Sequence, residues 1–100
     1  MGVIPSREQG LAIHERHVAG DPTASADLFE THYEALVDRL RFKWPNTDED
    51  DLRGQAVESI ANYLDWPQRY DPTRSALLTW LAMDAHGDLA NRYALSLIHI

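Results

Sequence analysis

Two neighbouring rows of apolar residues at fourfold spacing constrain this chain more than any other feature. Ala24, Leu28, His32, Leu36 and Leu40 form one row, and Phe29, Tyr33 and Val37 form the other. Side chains four apart lie above one another on a helix, so the rows merge into a wide stripe that other elements must cover. Glu30, Glu34, Asp38 and Arg41 take the opposite side. Arg39, Arg41 and Lys43 crowd the C-terminal end, where cations suit the helix dipole. Asp21 is the expected cap of this helix and Pro22 its first residue, and Trp44-Pro45-Asn46 closes it.

Pro5, Pro22, Pro45, Pro67 and Pro72 punctuate the chain at intervals that fit four helices, and no alternating Val/Ile/Thr/Tyr run marks a strand. The first helix is expected over about 6 to 19, with Ser6 and Gln9 at capping-box spacing, Gly20 as its stop, and a thin apolar side of Leu11, Ala12 and Val18. The third is expected from a Thr47 cap through a first turn of Asp48, Glu49, Asp50 and Asp51. Its buried row is Leu52, Ala56, Ile60 and Tyr63/Leu64; Asp51, Gln55, Glu58 and Asn62 form a polar row roughly opposite. Two prolines within 65–74 preclude a continuous helix there. The fourth helix is expected over about 75 to 93, burying Leu77/Leu78, Leu81, Ala85 and Leu89 with Trp80 beside them. Residues 94–100 form an apolar end expected to be a non-native or disordered tail without functional weight. The expected fold is therefore all-α, a compact bundle of four helices in which the three longer ones form the core.

One hundred residues make one domain, and sixteen Asp and Glu against nine Lys and Arg leave a net charge of -7. That balance argues against a stand-alone nucleic-acid binder, because phosphate affinity is carried by Lys and Arg. The absence of Cys excludes disulfides, Cys-ligated zinc, iron–sulfur clusters and a thiol nucleophile, and fits a reducing compartment. No apolar run approaches the ~20 residues of a membrane span, and the first ten residues lack the apolar stretch of a signal peptide.

Catalytic and metal signals are thin. His14 and His17 share a helical face but have no third ligand, so they read as a solvated surface pair. Asp84 and His86 lie roughly 200° apart on a helix, so the Asp84/His86/Asp88 run reads as a polar face rather than a hydrolase centre. The run Asp48 to Asp51 lacks a calcium loop's glycine and terminal Glu, and helix capping explains it. With no Gly-x-Ser-x-Gly, no Ser-x-x-Lys and no glycine-rich phosphate loop, neither enzyme activity nor a cofactor is expected. Trp66, Arg69, Tyr70, Arg74 and Trp80 gather around one loop and the helix after it. Two readings stay open: they stack unpaired bases, at ~1–3 kcal/mol per base, or Trp66 and Trp80 close the core beneath the loop.

The order of these elements carries a resemblance. Gly20-Asp21, Ala24 with Leu28-Phe29 and Tyr33, the acidic run Asp48 to Asp51 with Leu52 and Gln55, then Arg69-Tyr70-Asp71-Pro72-Thr73-Arg74 and Thr79-Trp80-Leu81 follow in sequence. Together they resemble region 2 of the sigma-70 family of transcription initiation factors, most of all the extracytoplasmic-function group. The similarity spans about 18 to 93, and the domain is set at 21–93 after an N-terminal helix and lead-in of 1–20.

The resemblance implies a cytoplasmic helical domain whose third helix docks on a coiled coil of the RNA polymerase β′ subunit, here through Asp51, Gln55, Glu58 and Asn62. It implies that the loop and last helix open the promoter minus-ten element and hold a flipped base, through Arg69, Tyr70, Arg74, Trp80, Gly87 and Arg92. It implies polymerase core and single-stranded promoter DNA as partners, an anti-sigma factor as a further one, and no membrane. The chain departs from the family pattern at Gly54, at Gly87 and at Asn91, and its last helix is basic only at Arg92. The competing expectation is a helical protein-interaction module without nucleic-acid function.

Overall fold

The computed structural model describes residues 3–98. Four helices follow one another: α1 (Arg7–Val18), α2 (Ala24–Lys43), α3 (Glu49–Asp65) and α4 (Leu77–Ile98). A 3₁₀ turn at Pro67–Arg69 interrupts the loop between α3 and α4, and no strand occurs among the described residues. The three longer helices pack on one another, and α1 lies against α2 and α4. This is the all-α bundle the hydrophobic spacing demands. No helix among the described residues is long and apolar enough to cross a membrane.

The helix ends follow local chemistry. Ser6 accepts from the Gln9 amide at 3.1 Å while Gln9 Oε1 accepts from the Ser6 amide at 2.9 Å, completing the expected capping box. Gly20 takes φ 91°, the left-handed turn that only glycine adopts cheaply. Asp21 does not cap α2 directly. Its carboxylate accepts from the Thr23 amide at 2.9 Å, so Pro22 and Thr23 form a turn and the helix opens at Ala24. That amide bond, followed by the Arg16 guanidinium, draws the Asp21 carboxyl down to about 2. Asp48 rather than Thr47 stands at the start of α3, one residue later than expected. The last helix runs past Tyr93 to Ile98, so the expected tail at 94–100 is helical that far; 99 and 100 lie outside the described residues.

The α2 row is buried throughout, from Ala24 through Leu28, His32 and Leu36 to Leu40. Leu52, Ala56, Ile60 and Tyr63 of α3 meet it, as do Leu77, Leu78, Leu81, Ala85 and Leu89 of α4. Each large side chain so buried contributes roughly 1.5–3 kcal/mol. The face of α1 differs from the expectation. Leu11, Ala12 and Val18 are exposed, and Gly10, Ile13, His14 and His17 face inward. These four hold the i, i+3, i+4, i+7 spacing of a core face, with two imidazoles in place of aliphatic groups.

Gly10 allows α1 to approach closely. A Cβ there would sit 3.0 Å from the Leu77 Cβ and 3.3 Å from His32 Nε2, whereas one at Gly54 would meet nothing within 4 Å. Opposite outcomes follow. Gly10→Val lowers unfolding stability by about 1–3 kcal/mol through overpacking, and Gly54→Ala raises it by about 1 kcal/mol through helix propensity. Urea titration of the two variants beside the parent chain reads both signs.

His32 is the titratable group of the α2 row. The Thr31 hydroxyl donates to the Asp27 carbonyl at 2.7 Å, so its other contact, 2.7 Å to His32 Nδ1, is one in which the ring donates. Burial holds His32 neutral, lowering its pKa from 6.5 to about 4. Below the ordinary histidine range the unfolded chain therefore binds a proton that the fold refuses. Stability falls by roughly 2–3 kcal/mol as pH drops from the ordinary histidine value toward the folded one. His32→Gln removes this part of the slope, which thermal melts of both proteins across that interval measure.

Candidate functional site

Two surfaces were expected on this scaffold, a polar stripe on α3 and an aromatic loop before α4. The stripe is broken. Asp51, Glu58 and Asn62 are exposed, but Gln55 is 0% exposed and its amide donates to Asp88 at 3.0 Å. Helical geometry explains the correction. Adjacent residues stand about 100° apart, so the polar row flanks the buried row instead of opposing it. With α2 and α4 both packed on α3, the flank nearest α4 is covered.

That flank is a polar seam. Ser59 donates its hydroxyl to the Leu81 carbonyl at 2.9 Å and lies 3.1 Å from Asp84. Burial pushes the Asp84 carboxyl up, partly opposed by Ser59. Asp84 and Asp88 are therefore seam residues rather than a solvated face. Arg92 reaches Glu58 at 3.5 Å, so a residue expected on DNA pairs with one expected on polymerase. Both are half-exposed, and such a pair is worth at most about 1 kcal/mol. Among the described residues no cluster of three His, Cys, Asp or Glu could hold a metal ion.

The loop divides its aromatics in a way the sequence did not announce. Tyr70, expected to meet an unstacked base, is only 4% exposed. Its hydroxyl donates to the Ser75 carbonyl at 2.7 Å, and its ring stands edgewise to His14 at 4.9 Å and to Trp80 at 6.0 Å. The ring thus lies in the core and presents no face to a base. Trp80 is half-buried and also edgewise to Tyr63, at 6.2 Å. Trp66 takes the outward position instead. It caps the C-terminus of α3, is 52% exposed, and carries the Arg69 guanidinium 5.6 Å from its ring centre. Arg74 is exposed, with only a loose contact to Asp71 at 3.9 Å. Gly87 is exposed as well, with open space where a Cβ would project.

The histidines of α1 are anchors rather than a surface pair. His14 Nδ1 lies 2.6 Å from the Tyr63 hydroxyl, and His17 Nε2 lies 2.8 Å from the Leu64 carbonyl. Burial lowers the His14 pKa and raises that of Tyr63, so the hydroxyl donates to a neutral ring. The signal was present in sequence: with Gly10 and Ile13, the two histidines complete a helical face. Against family models, curated proteins and solved structures, the chain matches none.

What the arrangement offers is one element with two outward features. Along α3 run the carboxylates of Asp50, Asp51 and Glu58, and at its end stands a tryptophan stacked with a guanidinium. The core role of Tyr70 gives a direct test. Tyr70→Ala costs about 3–5 kcal/mol of stability through the cavity it leaves, and Tyr70→Phe costs about 1 kcal/mol through the lost bond to Ser75. Guanidinium denaturation of both variants measures the two losses.

Proposed function

We propose that the chain is a sigma-factor-like domain that docks on RNA polymerase through the outward face of α3 and contacts unpaired promoter DNA beside Trp66 and Arg69. The observation that carries this reading is the exposed Trp66–Arg69 stack at the end of a helix whose outward face bears Asp51, Glu58 and Asn62. A tryptophan face beside a guanidinium suits an unstacked base next to its phosphate. Exposed carboxylates suit a basic coiled coil, where complementary charge fixes register and speeds encounter. Arg74 adds a second cation on the same loop. Tyr70 takes no part in base contact and instead sets the loop's position. General attraction to the duplex falls to the polymerase, since this chain is acidic.

The burial of Tyr70 and the net charge of -7 favour a second reading, a protein-interaction module with no nucleic-acid role. One experiment separates them. Purified bacterial RNA polymerase core is mixed with the chain and a fluorescent forked promoter fragment whose minus-ten strand is unpaired. The sigma-like reading expects a ternary complex. Trp66→Ala weakens capture of the fork roughly 5- to 150-fold, the equivalent of one base stack, without changing polymerase binding. Asp51→Lys weakens polymerase capture itself. Polymerase binding with no gain in fork capture supports the interaction module, and no binding to polymerase at all overturns both surfaces of the proposal.

A further inference from the structure

On another side of the bundle, α2 and α4 leave an apolar groove of about 730 Å³ between them. Phe42 and Met83 line it while 85% and 67% exposed, and Leu78 and Ala82 form its floor. Large apolar side chains held in water over so continuous a patch mark a binding surface more often than chance. Two ridges of fourfold spacing wall it, Ala35–Arg39–Lys43 on α2 and Leu78–Ala82–His86 on α4, and Ile4 of the segment before α1 lines it as well. A groove between two such ridges accepts the ridge of a third helix. An extended strand finds no open backbone edge on two helices, so it has nothing to pair with there.

The rim selects the charge of the occupant. Arg39 reaches across to the Thr79 hydroxyl at 3.2 Å, and neither it nor Lys43 meets a carboxylate among the described residues. Asp38, the one acid on the rim, is engaged by Arg41. The rim is thus cationic on a chain whose net charge is -7. A second copy of so acidic a chain is repelled overall.

We infer that the α2–α4 groove is a docking site for an amphipathic helix of a partner protein, with an apolar stripe for Phe42 and Met83 and flanking carboxylates for Arg39 and Lys43. The site lies apart from the outward face of α3 and from Trp66, and stands whether or not the sigma-like reading holds.

Two labelled helical peptides of about fifteen residues test it. They share one apolar repeat and differ only in Glu or Lys at the flanking positions. Fluorescence anisotropy with the full chain is expected to show the Glu peptide binding at least about tenfold more tightly than the Lys peptide. Arg39→Glu with Lys43→Glu inverts that preference, and Met83→Glu removes binding of both. Circular dichroism checks that each variant stays folded, and amide shifts of the parent chain move along α2 and α4. Equal affinity for the two peptides, no binding of either, or shifts confined to α3 and the loop overturn the assignment. So does sedimentation showing that the chain dimerises and that Met83→Glu restores the monomer, since the occupant is then a second copy.

Discussion

The hydroxyl of Tyr63 against the ring of His14 is the contact on which the rest of the molecule turns. It joins the shortest helix to the third, 2.6 Å between heteroatoms, and it places a large ring where α1, α3, the loop and α4 converge. Tyr70 and Trp80 stand edgewise around that ring at 6.2 Å each. Aromatic edges against faces add roughly 0.5–1.5 kcal/mol per pair beyond the area they bury. The consequence is directional. Because Tyr70 is drawn inward, the residues just before it are turned out, and Trp66 with Arg69 becomes the outer surface of the loop. The outward stack and the inward tyrosine are two results of one packing decision.

The seam between α3 and α4 imposes a second constraint. The polar contacts of Gln55 with Asp88 and of Ser59 with Asp84 form only when α3 and α4 hold this register. Buried polar pairs of this kind add little net stability, and what they fix is alignment. Gln55 Oε1 has no partner among the described residues, which makes the seam costlier still than an apolar one. The α3 surface that remains for a partner is correspondingly narrow. It comprises Asp51, Gly54, Val57, Glu58, Ala61 and Asn62 with the acidic first turn, in which Glu49 is already held by Arg41 and Arg53.

The helices were legible in sequence because their cores are periodic. Ala24 through Leu40 and Leu52 through Tyr63 carry enough apolar groups at helical spacing that the pattern admits no other element. Capping was legible too, at Ser6 and Gly20, where one side chain or one dihedral decides the outcome locally. What was hidden depends on contacts distant in sequence. Tyr70 bonds to Ser75 close by, yet its burial is decided by His14, Tyr63 and Trp80. Nothing adjacent to Tyr70 distinguishes it from Trp66 as the ring left outside. Gln55 is hidden for a related reason: a polar side chain at the border of two covered flanks is classed by its chemistry, although the neighbouring helix decides its exposure. The same holds for the histidines of α1, polar by composition and interior by position.

Charge bookkeeping over the whole surface then narrows what any partner meets. The chain holds nine Lys and Arg. Arg16, Arg41 and Arg53 are bound into carboxylate networks of their own neighbours. Arg7 is spent on the Pro72 carbonyl and Arg92 on Glu58. Arg74 touches Asp71 loosely. Besides Arg7, the cations in no ion pair among the described residues are Arg39, Lys43 and Arg69, and each of these three borders an exposed aromatic or thioether group. A protein built to attract a duplex spreads cations over a broad face, because each neutralised phosphate adds its share of released counterions. Here they stand singly beside apolar surface, an arrangement that discriminates among partners already brought close. On the readings proposed above, charge at these sites discriminates among partners more than it gathers them, whether an unpaired strand at Trp66 or an acidic helix at Phe42.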